Sequence, residues 1–438
     1  WKLRAVAFAA AALLIGGGAL WTIQKRASTL TVEVSPGTKA PLPLPEKPSI
    51  AVLPFANMSG SAEQEYFSDG ITEDITTALA KFPGLFVIAR NSAFRYKGKA
   101  VDVPQVGREL GVRYVLEGSV RKAEQRIRVT AQLIDAATGA HKWAERYDRP
   151  LTDIFALQDE VTERIVSTLV AQVAKADLER TLRKGTKDLG AYDYYLRGQE
   201  LMRPRSKEAI LQARQMFEKA IAIDPGYAQA YVGLGSTYLA AFISRWEPKE
   251  ALDRSMESAR KAVALDGSLP SAYANLGGTL VRKGQHEEGI AAIEKAISLN
   301  SNDAENYARL ANAMTFAGKP GETLALMEKA LRLDPFYFPV WDLYLGRAYF
   351  YLRQHEKALV PLKAGIGRAP DFWPMRSFLA AAYAHLGRQA EARASIAELR
   401  RLWPEATVRK IREQQAAMKD KVLLEHYLEG LRKAGLPE

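Results

Sequence analysis

Residues 271–300 read SAYANLGGTLVRKGQHEEGIAAIEKAISLN, and residues 304–335 read AENYARLANAMTFAGKPGETLALMEKALRLDP. Small residues take matching places in the two stretches: Gly277, Gly289 and Ala296 in the first, Ala311, Thr323 and Ala330 in the second. Larger apolar residues sit beside them, Leu276 and Ile293, then Leu310 and Met327. Small side chains at this spacing let two antiparallel helices approach closely, and the larger ones fill the seam. The same twelve-residue spacing joins Gly346 to Ala358 and Ala380 to Ala392, while Pro335, Pro370 and Pro404 close successive copies. A helix pair of about 34 residues cannot bury its own apolar face, so copies must stack.

This pattern resembles the tetratricopeptide repeat. Six copies fall between residues 190 and 405. The first is stretched, with Gly198 and Ala213 fifteen apart and an insertion at Arg203-Pro204-Arg205. The second pairs Gly235 with Ser255, twenty apart, through a loop holding Trp246 and Pro248. The resemblance implies an all-α superhelix with a concave groove for a protein or peptide partner. The groove positions of the repeat fall on Arg282, Asn312, Phe316, Arg347, Phe350, Tyr351 and His385. Aromatics beside arginine suit a peptide anchor; alternatively, Phe350 and Tyr351 pack between neighbouring helices. Residues 406–438 carry Ile411, Met418, Val422, Leu423, Tyr427 and Leu431 amid charged residues, an amphipathic pattern expected to form one capping helix.

The chain has 438 residues, 47% hydrophobic and 25% charged, which is ordinary for globular domains. It has no cysteine, so disulfides, thiolate nucleophiles and cysteine metal sites are excluded. Its five histidines, His141, His286, His355, His385 and His426, lie far apart, with no pair at metal-ligand spacing and no HExxH. No metal site, cofactor or catalytic constellation is expected. The net charge of +11 is diffuse, without the concentrated stripe of a nucleic-acid footprint.

Ala5 to Trp21 is almost wholly apolar, between Lys2 and Arg4 on one side and Lys25 and Arg26 on the other. A helix of that length reaches about 25 Å, at the short end for a bilayer. We expect a membrane anchor over 1–26, with residues 5–21 in the bilayer; a secretory signal peptide is the rival reading. Five prolines between Pro36 and Pro48 make 27–48 a semi-rigid tether. The expected location is the bacterial inner membrane, single-pass, with periplasmic C-terminal domains. The opening Trp in place of Met reads as the result of processing or as part of a longer protein.

Residues 49–175 read as an α/β domain with a mixed sheet. SIAVLPF (49–55), LFVIAR (85–90), YVLEGSV (114–120), RIRVTAQLID (126–135) and HKWAERYD (141–148) read as strands. Helices are expected from about Ser68, from Asp102 to near Gly111, and from about Asp153 to Ala174. Asp69, Glu73 and Asp74 read as acids in a helix first turn, favoured by the macrodipole. In ARNSAFRYKGK (89–99), Arg90, Arg95, Lys97 and Lys99 surround Phe94 and Tyr96, a candidate patch for an anionic ligand; the alternative is a solvated loop. Asp135, His141 and Glu145 gather near one hairpin without a nucleophile.

The wording from SIAVLPFANMS through EYFSDGITEDITTALAKF to ALQDEVTERIV resembles the TolB amino-terminal-like domain, which is found joined to tetratricopeptide repeats in bacterial membrane proteins. The expected fold class is therefore multidomain: an N-terminal transmembrane helix, a TolB-N-like α/β domain with a mixed sheet, and an all-α TPR superhelix. Such proteins often carry an adenylate or guanylate cyclase domain, or a CadC-like winged helix, upstream. The resemblance implies a non-catalytic protein-interaction or sensory module, or the regulatory region of a class III adenylate cyclase or of a winged-helix regulator.

Overall fold

A computed structural model describes residues 42–169, 185–203 and 206–438. The α/β part begins with β1 (Ser49–Val52), all four residues of which are buried. A short β2 (Ala56–Asn57) follows, then α1 (Glu65–Ala80), β3 (Phe86–Val87), a single turn α2 (Arg90–Ala93) and α3 (Val103–Leu110). Gly111 ends α3 in the left-handed conformation at φ 63°, which glycine adopts freely. Three long strands complete the sheet: β4 (Tyr114–Ala123), β5 (Arg126–Asp135) and β6 (Ala140–Pro150), before α4 (Ile154–Leu169).

The strand order is β3-β1-β4-β5-β6, with β2 also paired to β4. β1 runs parallel to β3 and β4, whereas β4, β5 and β6 are antiparallel neighbours. This is the mixed sheet the strand–helix alternation predicts. One core joins Ile50, Val52, Leu116, Val129 and Leu133 of the sheet to Ile71, Ile75 and Leu79 of α1 and Leu157, Val161 and Ile165 of α4. The alternation along 126–135 puts Ile127, Val129, Ala131 and Leu133 inside, as expected of a half-buried strand.

Asp69, Glu73 and Asp74 do not occupy a helix first turn. A 3-10 turn capped by Ser61 feeds α1 at Glu65, so these acids lie in the helix interior. Asp69 is buried and meets Lys97 at 2.8 Å and Arg203 at 3.2 Å. Ion pairing, not the macrodipole, accounts for it. The cue lay in the basic residues far along the chain.

The rest is helical. α5 (Leu189–Leu201) and α6 (Lys207–Ile223) form one pair, followed by α7 (Ala228–Ile243) and α8 (Glu250–Leu265), α9 (Pro270–Arg282) and α10 (His286–Leu299), α11 (Ala304–Phe316) and α12 (Pro320–Leu333), α13 (Val340–Tyr351) and α14 (His355–Arg368), and α15 (Trp373–His385) and α16 (Gln389–Leu402). The small residues stand where helices nearly touch. A Cβ on Gly277 would come within 2.5 Å of Ile293 and 2.6 Å of the Gly289 carbonyl. One on Gly346 would come within 2.5 Å of Leu362. Ala311, Ala330, Ala358, Ala380 and Ala392 are fully buried. Pro204 and Arg205, in the expected first-repeat insertion, lie outside the described residues.

Leu42–Glu438 forms one compact unit, and the α/β part is docked on the repeats. Asn302, between α10 and α11, donates to the carbonyls of Ala80 and Leu85 at 3.0 and 3.1 Å. Asp334, at the end of α12, accepts from Asn91 and Ser92, and the Ala89 amide donates to Leu333 O at 2.9 Å. Tyr192 of α5 donates to Asp74 of α1.

The expectations of a membrane-spanning helix and of a single-pass inner-membrane location are corrected. Among the described residues no helix is long and apolar enough to cross a membrane. The apolar stretch 5–21 lies outside the described residues.

Candidate partner-binding groove

Successive first helices of the repeats, α7, α9, α11, α13 and α15, touch one another, while among the described residues no second helix makes contact of that extent with the next second helix. The array therefore curves toward its first helices, which line the inner wall. Residues four apart share a helix face, so Gly278 and Arg282, Asn312 and Phe316, Arg347 and Tyr351, and Ala381 and His385 form one continuous inner stripe.

Part of this wall is already covered. Residues 406–438 form two helices, α17 (Val408–Gln414) and α18 (Lys421–Lys433), not the single expected one. Asp420 breaks the run by capping α18, accepting from the amides of Val422 and Leu423. The connecting segment crosses the inner wall, where the Lys419 amide donates to Phe316 O at 2.9 Å. α18 then lies along α15. A Cβ on Gly430 would meet Ala381 at 2.8 Å and the His385 ring at 2.9 Å. Tyr427 donates to Ser377 Oγ at 2.6 Å. Val422 is 71% exposed, so it belongs to the outer face of α18 and not to its apolar one.

Phe350 is consequently fully buried, ringed by Phe378, His426 and Tyr427 at centroid distances of 5.6, 5.1 and 6.0 Å. Tyr351 is buried as well, and its hydroxyl has no hydrogen-bond partner. The sequence alternative of packing between helices holds for both, although one of the packing helices is α18, which the repeat pattern did not supply.

Two arginines lie farther along the wall. The guanidinium groups of Arg282 and Arg347 both sit 4.7 Å from the centre of the Phe316 ring. Arg347 is 2% exposed and donates to Asn312 Oδ1, yet its Nε has no partner. Among the described residues neither arginine forms an ion pair with a carboxylate. Burial, and then the charge of Arg347, push Arg282 down to about 10, which leaves it cationic at neutral pH. An unneutralised pair of half-buried and buried cations is costly, and a carboxylate placed between them would relieve that cost.

Three histidines that are scattered in sequence converge here. His355 opens α14, His385 closes α15 and His426 lies in α18. The rings of His385 and His426 stack at 3.9 Å, with His355 at 4.9 Å from His385. Burial, and then neighbouring imidazoles, hold His355 down to about 4 and His426 down to about 3, so both are neutral at pH 7. No sequence spacing could reveal this cluster, because it depends on where the C-terminal helix docks.

The patch expected on 89–99 is largely neutralised from within. Arg90 meets Glu73 at 2.9 Å and stacks on Phe94, Lys97 meets Asp69 and Glu65, and Tyr96 donates to Glu109. Arg95 stacks on Phe336 of the repeats at 4.2 Å, and Lys99 is exposed. A cleft of about 660 Å³ between Arg90, Phe94, Arg95, Arg203 and Phe336 remains, with Glu73 in its lining. Asp135 of the hairpin is buried and bonds the Ala137 amide and Arg113, the work of a turn carboxylate.

Residues 270–303 match the tetratricopeptide repeat family, and the chain carries such repeats. Residues 46–164 match the family described as HilA/YgeH-like transcriptional regulator, second domain. The chain is 55% identical over 206 residues to a protein of Rhizobium meliloti (strain 1021) named "Putative adenylate cyclase 3". That match covers 47% of this chain and 35% of the relative, so the chain spans about a third of the length of the relative it matches. Among solved structures, a thermophilic TPR protein of Thermus thermophilus is 19% identical, with 44% of this chain and 98% of that one covered at a TM-score of 0.37. PilF of Pseudomonas aeruginosa is 22% identical, with 52% and 97% covered at a TM-score of 0.38. The repeats place the chain among proteins built for protein–protein interaction.

Proposed function

We propose that this chain is a partner-sensing module that grips an acidic protein segment on the inner wall of its repeats. One observation carries the reading: Arg282 and Arg347 flank Phe316 on that wall without a carboxylate partner among the described residues. An aspartate, glutamate or chain-terminal carboxylate would bond the half-buried Arg282 guanidinium, with the charge of the buried Arg347 behind it and the fully buried Phe316 ring as backing. The chain's own C-terminal segment and helix cover the wall at Phe316, Phe350 and Tyr351, so the ligand lies beside them, at Arg282 on α9.

The module's output is regulation of an attached or associated adenylate cyclase unit. The 55% identity to a protein of that name supports this. The chain supplies recognition, and cyclase chemistry resides outside these 438 residues. The match of residues 46–164 to a regulator domain favours a second output, control of transcription through a DNA-binding unit.

The test is a titration of the 438-residue chain with fluorescent peptides ending in acidic residues, against amidated neutral versions. The acidic peptides bind and the neutral ones do not. Arg347→Met and Arg282→Met each weaken binding at least about tenfold, the scale of one charged hydrogen-bonded contact. Equal binding of acidic and neutral peptides would sink the reading. Cyclic AMP formation by a protein carrying this chain, with and without the peptide, separates the two outputs.

A further inference from the structure

The three histidines at the junction of α14, α15 and α18 have no assigned role. One ring nitrogen from each lies within 4.8 Å of the other two. His355 Nδ1 and His426 Nε2 are buried without any hydrogen-bond partner. His385 Nε2 sits 3.0 Å from the His426 carbonyl oxygen, which can only accept, so Nε2 donates and Nδ1 keeps its lone pair. Histidines that bind metals commonly have their second nitrogen fixed in this way. Buried polar nitrogens without partners are uncommon and ask for an explanation.

We propose that His355, His385 and His426 form a binding site for a divalent transition-metal ion of the zinc class, which pins the C-terminal helix to the last two repeats. Three imidazoles favour Zn²⁺, Co²⁺, Ni²⁺ or Cu²⁺ over the hard, oxygen-seeking Mg²⁺ and Ca²⁺. Three protein ligands leave the fourth tetrahedral position to water or to an outside group.

The ligands come from three separate elements, so the ion cross-links segments that otherwise meet only through apolar packing and a few hydrogen bonds. In a tetrahedral site with Zn–N bonds of 2.0–2.1 Å the nitrogens stand ~3.4 Å apart, closer than the 4.8 Å limit found here. The stacked rings of His385 and His426 must also turn about their side-chain bonds to aim at one point. Phe350 backs all three rings, at 5.0, 5.8 and 5.1 Å, and shields one side of the site from water. Arg353 lies close enough to oppose a dication, and Glu429 offsets that charge at His385 and His426.

The competing account is a stack of imidazoles on Phe350 with no affinity for metal, and the experiment separates the two. The untagged, metal-stripped 438-residue chain is titrated with Co²⁺, followed by visible absorption, and then with Zn²⁺. The expected result is one equivalent of Co²⁺ with intense tetrahedral bands, displaced by Zn²⁺ and unaffected by excess Mg²⁺. His355→Ala and His426→Gln lower the affinity at least about tenfold, whereas His141→Ala and His286→Ala bind as the parent does. Circular dichroism establishes that each variant is folded. Should His426→Gln unfold, His385→Asn replaces it, and the parent chain supplies an independent reading: Zn²⁺ raises its unfolding temperature and a chelator reverses the rise. No stoichiometric binding by the parent chain, or equal binding by folded histidine variants, overturns the proposal.

Discussion

The ring of Tyr427 lies flat on that of Phe378, with centroids 4.1 Å apart and planes 10° apart. One residue belongs to the C-terminal helix and the other to the first helix of the last repeat, and both are fully buried. This stack, together with the bond from Tyr427 to Ser377, fixes α18 in the groove. Tyr427→Ala removes an aromatic side chain from a packed core and should cost about 3–5 kcal/mol. Tyr427→Phe keeps the stack and loses only the hydroxyl bond, costing about 1 kcal/mol. Urea unfolding of the two variants checks the ratio; comparable losses would show that the stack contributes little.

Glycine positions within the repeats should respond in opposite senses. Gly277→Ala forces a methyl group to within 2.5 Å of Ile293 and 2.6 Å of the Gly289 carbonyl, and should destabilise by about 1–3 kcal/mol. Gly367, in α14, has nothing within 4 Å of its missing Cβ. Gly367→Ala should stabilise by about 0.5 kcal/mol by restricting the unfolded chain. Thermal unfolding of the pair decides whether close approach, rather than helix propensity, sets the choice of glycine.

Asp334 should give the docked α/β part a pH dependence. Burial, outweighing its bonds to Ser92 and Asn91, raises its carboxyl to about 6 from an unfolded value of 3.8. The folded state then binds the proton more tightly than the unfolded state. Its contribution to stability is full below 3.8 and lost as pH rises through about 6. From pH 7.5 to pH 5 the parent should gain on the order of 1 kcal/mol relative to Asp334→Asn, which cannot titrate. A difference between the two chains that stays constant with pH would refute it.

Arg347 should show stability and recognition in conflict. It is buried without a carboxylate, so Arg347→Met, which keeps the stem against Phe316, should stabilise by on the order of 1 kcal/mol. The same change should abolish preference for acidic peptides. A destabilised variant would mean that the bond to Asn312 outweighs the buried charge.

The repeats were legible because close packing writes itself locally: Gly277, Gly289 and Ala311 recur at a fixed period whatever lies elsewhere. The sheet was legible from the alternation in 126–135. Interactions joining distant segments left no such trace. Asp69 looked like a helix-capping acid because its partners, Lys97 and Arg203, come from other elements. The inner-wall positions could be named from the repeat pattern, but not the fact that α18 would cover Phe350 and Tyr351. The histidine cluster is the extreme case, since His355 and His426 become neighbours only after the last helix has folded back. The apolar run at 5–21 suggested a membrane crossing by composition alone, and no helix of the described residues supplies one.

The docking of the sheet domain bears on mechanics. Stacked helix pairs normally behave as a spring, since each pair touches only its neighbours. Here Asn302 and Asp334 fasten two successive turns of that spring to one stiff plate, and Tyr192 fastens a third point near its start. Bending the coil over this span must therefore break a fastening or tilt the plate.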